Sequence, residues 1–143
     1  MRDIVFRAKV KRPAKPIFGE ILPDGAWVYG ELHAASRVPH IHDTPVSRQP
    51  IDPETVGQFT GIVDKNGNRI FEGDIVKVKS LQYGKSLGMI VCGIIIYDRG
   101  CFWVKRIDAE EIKQSLTSVE LEHDIEVIGN IYDNPELLKG GER

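Results

Sequence analysis

Four histidines and a scatter of carboxylates are the first residues to weigh for chemistry in this 143-residue chain. The run His40-Ile41-His42-Asp43, with His33 seven residues earlier, is the one grouping with metal-ligand character. On an extended segment His40 and His42 point to one side, and two imidazoles with the carboxylate of Asp43 could contribute to a zinc site. Such a site needs a third or fourth placed ligand, and the prolines around this run read as a surface loop. Solvent-exposed histidines are therefore the expectation for His33, His40 and His42. A small metal-dependent enzyme built on His33–Asp43 is the third of three functional readings.

Acid–base catalysis calls for paired carboxylates in contrasting environments. The clusters present are Glu110-Glu111 and Glu120, Glu122 and Asp124, all in polar stretches that read as solvated faces. Glu72 and Asp74 flank Gly73 in a turn, where short acidic side chains bond to nearby backbone N–H groups. No nucleophile elbow, P-loop or dinucleotide fingerprint occurs. Gly57, Gly61, Gly67 and Gly73 are spaced along a hairpin rather than a strand–helix junction, so a phosphate cradle is not expected. The sequence thus marks no catalytic residue and no cofactor, and the expected protein is not an enzyme.

The second reading is nucleic-acid binding. Its candidates are Arg7, Lys9, Lys11, Arg12 and Lys15, with Arg2 beside them and Phe6, Phe18, Trp27 and Tyr29 nearby. Small β-barrels bind nucleic acid through basic grooves and stacking aromatics. Residues 1–50 carry eight Lys/Arg against five Asp/Glu, whereas residues 51–143 carry eleven against sixteen. The polarity is mild beside that of a dedicated nucleic-acid binder. The competing account is an edge strand protected by lysine and proline next to an ordinary core.

A chain of this length suits one domain, or one with an appendage, and can bury a core without staples. Fourteen Gly and eight Pro imply many turns, which favours β structure. Cys92 and Cys101 lie in apolar stretches and are expected as reduced thiols. Met1–Phe6 contains no apolar signal segment. The longest apolar run, Met89–Tyr97, has nine residues, against roughly 20 for a membrane span. A cytoplasmic protein with no membrane contact is expected.

The elements that must position these residues read as short strands. Ile4–Val10 is a first strand, Ile17–Leu22 a possible short one, and Ala26–Leu32 a further one after the Pro23-Asp24-Gly25 turn. Residues 33–53 look irregular because of Pro39, Pro45, Pro50 and Pro53. Gln58–Val63 and Arg69–Phe71 then flank Asp64-Lys65-Asn66-Gly67. That sequence predicts a three-residue loop with Gly67 left-handed in a bulge, setting Ile62 opposite Ile70 and Gly61 under the ring of Phe71. A two-residue Asn-Gly loop is the alternative. Ile75–Lys79 alternates as a half-buried strand. Ser80–Gly88 reads as a polar loop, and Met89–Tyr97 as a strand apolar on both faces with a bend at Gly93. Asp98-Arg99-Gly100 turns the chain into Cys101–Val104. A short helix is possible around 109–115, a last strand spans Glu126–Ile131, and Asn134-Pro135 has the grammar of a helix start.

The expected organisation is an N-terminal β segment with a Pro-rich excursion over residues 1–50, then a body over 51–138 and a tail over 139–143. Five short strands joined by tight turns suit a small SH3-like β-barrel, so the fold class is mainly β with one or two short helices.

Several stretches resemble YopX-type proteins. They are Met1–Ala8, Trp27-Val28-Tyr29-Gly30 with Leu32, Pro53–Gly61 through Asp64-Lys65-Asn66-Gly67 to Phe71-Glu72-Gly73-Asp74-Ile75-Val76, and Glu126–Leu138. Lys9 departs from the pattern, where an aromatic residue is expected. The region 33–50 matches nothing comparable. The resemblance implies a phage or prophage origin and a β-rich fold with an SH3-like barrel. It implies no activity and supplies no catalytic residue. The preferred reading is a non-catalytic accessory protein that contacts protein partners, copies of itself among them. Met89–Tyr97 would face a core on one side and a partner on the other.

Overall fold

The computed structural model describes residues 4–11, 21–33, 39–44, 47–82, 85–109 and 112–139. They form a mainly β protein with one α-helix and two antiparallel sheets. The chain divides into two units, Met1–Phe59 and Thr60–Arg143. No closed barrel is found among the described residues.

In the first unit, β1 (Phe6–Lys9), β2 (Trp27–His33), β3 (His40–Thr44) and β4 (Ser47–Pro50) form neighbouring antiparallel strands in the order β4-β3-β2-β1. The start of β5 (Gly57–Val63) pairs with β1, Phe6 opposite Gln58. Alternation along β1 sends Ala8 and then Val10 into a core with Val28, Ile41 and Ile51. Each fully buried side chain of this size contributes about 1.5–3 kcal/mol. The stretch read as irregular therefore holds two strands. Three of its prolines are tolerated because Pro39 precedes β3, Pro50 ends the edge strand β4, and Pro53 opens a 3-10 turn over Pro53–Thr55, while Pro45 lies outside the described residues. Asp52 and Thr55 fasten that turn to β1, with Lys9 N–H donating to Thr55 Oγ1 at 2.9 Å and Asp52 N–H to the Lys9 carbonyl at 2.8 Å.

The second unit continues from β5 into β6 (Arg69–Phe71), then β7 (Asp74–Gln82), β8 (Lys85–Asp98), β9 (Cys101–Arg106), β10 (Lys113–Ser115), α1 (Leu116–Glu122) and β11 (His123–Asn130). The five-stranded sheet has the order β10-β9-β8-β7-β11, so the last strand returns beside the first of the meander. Its core joins Ile70, Val76, Val78, Ile95, Val104, Leu116, Val119 and Ile125. The expected polar loop over 80–88 is largely strand, since β7 reaches Gln82 and β8 begins at Lys85. The expected helix over 109–115 is displaced: β10 occupies Lys113–Ser115 and the helix starts at Leu116. The pairing of Lys113–Ser115 with β9 supplies a long-range ladder that helical propensity could not anticipate. At the end of the chain Asn134 caps no helix with its side chain; a single 3-10 turn, Pro135–Leu138, follows it. Asn134 Oδ1 instead accepts from Asn130 N–H at 3.2 Å.

The β5–β6 turn has the three-residue form. Asp64 N–H donates to the Asn68 carbonyl at 2.8 Å, Gly67 N–H donates to the Asp64 carbonyl at 3.0 Å, and Gly67 has φ +85°. Gly61 has φ +87°, and Ile62 N–H bonds to Thr60 Oγ1 at 3.2 Å. A Cβ there would meet nothing within 4 Å, so it is the left-handed backbone at this kink in β5 that calls for glycine. Gly93, read as a bend, lies in regular register opposite Val76 and Arg106. A Cβ there would lie 2.5 Å from Val104 Cγ1, so close approach is what the position requires.

Asp64 is 5% exposed and its carboxylate accepts from four donors. Oδ1 takes the N–H groups of Asn66 at 2.9 Å and Asn68 at 2.8 Å. Oδ2 takes Val127 N–H on β11 at 3.0 Å and the Asn68 amide at 3.4 Å. Burial pushes the carboxyl up, but the three backbone N–H groups and the amide outweigh it and hold its pKa below the ordinary carboxylate value. Asp64→Ala strands those donors and should lower unfolding free energy by about 2–4 kcal/mol in urea titrations. A depressed folded pKa gives stability that is present above the unfolded value, about 3.9. It is lost as pH falls through the folded value. Unfolding measured from neutral to acid pH should show this loss in the natural chain and a flatter profile in Asp64→Asn.

Candidate functional site

The strongest grouping of charged and aromatic side chains lies on one face of the first unit's sheet. Because Ala8 and Val10 enter the core, Arg7, Lys9 and Lys11 take the opposite face. The register sets Arg7 opposite Tyr29 and Lys9 opposite Trp27. The guanidinium of Arg7 lies 4.7 Å from the Trp27 ring centre and the ammonium of Lys9 5.4 Å. Both are cation–π distances. Arg7 is buried, Lys9 half-buried, and Lys11 and Tyr29 exposed. Lys9 thus pairs with an aromatic residue across the sheet.

Further along β2 the same alternation presents Glu31 and His33. These stand opposite His42 and His40 on β3, and His42 stands opposite Arg48 on β4. The rings of His33 and His42 stack with centres 3.8 Å apart and planes 13° from parallel. His33 Nε2 lies 3.3 Å from Glu31 Oε1. Burial, then the neighbouring His33 and Arg48, lower the pKa of His42, against a smaller opposing pull from Glu31. The expected solvent-exposed loop is therefore a β-sheet face, with His40 only 8% exposed. Asp43 Oδ1 is buried without a hydrogen-bond partner among the described residues. Among those residues no group of three or more His, Cys, Asp or Glu side chains is arranged to hold a metal ion.

The second unit offers two surfaces. A cleft of about 290 Å³ is lined by Val63, Asp64, Lys65, Glu120, His123, Asp124 and Ile125. Asp64 is already bonded there to backbone N–H groups, and Lys65 lies 3.8 Å from Glu126. The other surface is the sheet face opposite the core. Ile95 faces the core, so Ile90, Cys92, Ile94 and Ile96 alternate onto the far side, with Trp103 opposite Ile96 on β9. Cys92 is buried, Ile94, Ile96 and Trp103 are half-buried, and Ile90 is 51% exposed. Lys113 Nζ lies 4.8 Å from the Trp103 ring centre and 2.8 Å from Asp98 Oδ2. Neither cysteine forms a disulfide, and burial raises the thiol pKa of Cys92.

The family model described as YopX protein matches residues 6–139. The chain belongs to the YopX family. No curated protein matches it. Of the stretches that carry the YopX resemblance, some fall on β1, β2 and the start of β5, and the others on the β5–β6 turn, the Phe71–Val76 corner and the end of β11, where polar side chains bond to backbone. At the corner, Asp74 Oδ2 accepts from Phe71 N–H at 2.7 Å, as the sequence suggested for this turn. After β11, Asn130 Oδ1 accepts from the N–H groups of Tyr132 and Asp133 at 3.0 and 2.9 Å.

Of the nucleic-acid candidates, the structure brings Arg7, Lys9 and Lys11 to one face. Arg12 and Lys15 lie outside the described residues. Of the metal candidates it brings His33 and His42 into a stack and sets His40 opposite His33. Glu110 and Glu111 lie outside the described residues, while Glu120 and Asp124 line the cleft. Sequence reasoning missed Glu31 and Arg48 as neighbours of the histidines; the signal lay in the alternation of Glu31 with His33, and Arg48 needed the β3–β4 pairing. No helix among the described residues is long and apolar enough to cross a membrane. NMR titration should find the His42 imidazole taking up its proton below the ordinary value of 6.5. His33→Ala should move that midpoint upward, because His33 is one of the neighbours that lower it. Since the unfolded chain protonates first, the contribution of neutral His42 to stability is full above the unfolded pKa and declines as pH falls toward the folded one.

Proposed function

We propose that this YopX-family protein is a non-catalytic interaction module whose β-sheet surfaces bind protein partners, copies of itself among them. The observation that carries the reading is an apolar stripe along β8, where Ile90, Ile94 and Ile96 lie on the side away from the core, with Trp103 opposite Ile96 and with Lys79 and Lys105 opposite Ile90 and Ile94. The order β10-β9-β8-β7-β11, with a short helix before the returning strand, supports an SH3-like arrangement for this unit. The YopX resemblance supports a phage or prophage accessory role in the cytoplasm of a bacterial host.

The reading is tested at Ile90, which stands opposite Lys79 and can accept charge without disturbing the core. Ile90→Asp should keep the circular dichroism spectrum and melting temperature of the natural chain. It should also lose the concentration-dependent rise in mass seen by light scattering, or the partner retained by the natural chain in affinity capture. A natural chain that is monomeric at every concentration and retains nothing that Ile90→Asp fails to retain removes the proposal.

A further inference from the structure

We propose that Asn66 is a site of spontaneous covalent modification, in which the Gly67 nitrogen displaces the side-chain amide, and that the product loosens the hairpin tip that seats β11. The apolar stripe of β8 takes no part in this. The chain has four asparagines, at positions 66, 68, 130 and 134. Three of them are held. The Asn68 amide donates to Asp64 Oδ2 at 3.4 Å, the Asn130 amide donates to Asp133 Oδ2 at 3.1 Å, and Asn134 Oδ1 accepts from Asn130 N–H at 3.2 Å. The residues that follow them are also poor nucleophiles for this purpose. Arg69 and Ile131 carry side chains beside the main-chain nitrogen, and Pro135 has no N–H to give up. Asn66 is exposed, its side-chain amide has no hydrogen bond among the described residues, and Gly67 follows it. Space around Gly67 is open, since a Cβ there would meet nothing within 4 Å.

The step is a displacement within the chain. The Gly67 nitrogen gives its proton to solvent base and forms a bond to Asn66 Cγ. The Cγ–Nδ2 bond breaks, and ammonia leaves after taking a proton from solvent. A cyclic imide remains, and water opens it. Addition of water at Cγ gives aspartate. Addition at the main-chain carbonyl carbon gives isoaspartate, in which the chain runs through Cγ and is longer by a methylene. Nothing is oxidised or reduced, and water is the reagent consumed.

The turn controls how often this happens. Gly67 N–H donates to the Asp64 carbonyl at 3.0 Å, and Asn66 N–H donates to Asp64 Oδ1 at 2.9 Å. That closure, with no positive φ at Lys65 or Asn66, is a type I turn. Asn66 then has a ψ of about 0°, which directs the Gly67 nitrogen toward Asn66's own N–H and away from its Cβ. Cyclisation needs that nitrogen beside Cβ, so the Gly67 bond must open against the hold of Asp64 on the turn. The same carboxylate accepts from Val127 N–H at 3.0 Å, and Lys65 N–H donates to the Ile125 carbonyl at 3.0 Å. A methylene added between positions 66 and 67 spoils the closure of the turn, and with it the fixed seat of both contacts.

Peptide mapping by mass spectrometry, on the full chain held folded in mildly alkaline buffer, tests the assignment. Asn66 should exchange its amide for an acid well ahead of Asn68, Asn130 and Asn134, and an isoaspartyl methyltransferase should label the same peptide. A capped peptide of residues 62–70 should convert at least about fivefold faster than the folded chain, because it has no turn to open. Asp64→Ala should close most of that gap. Asp64→Asn, which keeps an acceptor oxygen, should fall between the two and serves if the alanine variant does not fold. The isoaspartyl fraction, separated by its added negative charge, should exchange Val127 N–H for deuterium faster than the unmodified chain. Conversion at Asn66 no faster than at Asn68 or Asn130 overturns the assignment. So does an equal rate in chain and peptide, a folded Asp64 variant that converts no faster than the natural chain, or unaltered exchange at Val127.

Discussion

A carboxylate takes the place of a neighbouring strand on the outer edge of β11. That strand has β7 on one side and lies at the end of its sheet. On its other side Lys65 N–H donates to the Ile125 carbonyl at 3.0 Å, and Asp64 Oδ2 accepts from Val127 N–H at 3.0 Å. The tip of the β5–β6 hairpin thereby satisfies an edge that would otherwise present open donors and acceptors. The ladder between β11 and β7 shifts register immediately afterwards, between Val127 and Gly129. An ionised carboxylate this deeply buried is sustained because its Asn66 and Asn68 donors are fixed by the same turn it organises and its Val127 donor by β11. Turn geometry, the ionisation of Asp64 and the seating of the last strand are therefore one coupled arrangement.

The same economy recurs at the other corners. Asp74 closes the Phe71–Asp74 turn through the Phe71 N–H. Asn130 and Asn134 bond each other's backbone, with Asn134 N–H donating to the Asn130 carbonyl at 2.9 Å. In each place a short polar side chain supplies the partner that a bend denies to the main chain. Several of the stretches by which the chain resembles the YopX family include these corners. At these corners the polar side chains are committed to backbone groups.

What could be read in the sequence was what local chemistry decides. Asp64-Lys65-Asn66-Gly67 encodes its own loop, because positive φ at Gly67 and the acceptor at Asp64 are requirements of a few adjacent residues. The two apolar faces of β8 were likewise visible in the run Met89–Tyr97. Strands β3 and β4 were hidden because proline content is a local signal against strands, whereas their formation rests on β3 pairing with β2 and on Ile41 reaching the core. Lys113–Ser115 was hidden for the same reason, its strand state depending on β9. The histidines illustrate the consequence for sites. Their spacing suggested a shared direction along one segment, but the neighbour that matters to His42 is His33 on another strand. Its distance and ring orientation follow from the β2–β3 register.

With the corner carboxylates occupied, what distinguishes the two units is the character of their faces. The first unit shows cations beside aromatic rings, and the second an apolar stripe running from Cys92 to exposed Ile90. These surfaces respond oppositely to ionic strength. Release of counterions weakens binding to a cationic row as salt rises. Burial of an apolar stripe is insensitive to screening and is strengthened by salts excluded from protein surfaces. A ligand of either surface would therefore be distinguished by the sign of its salt dependence. Ionic strength then separates their contributions in a mixture even before any residue is changed.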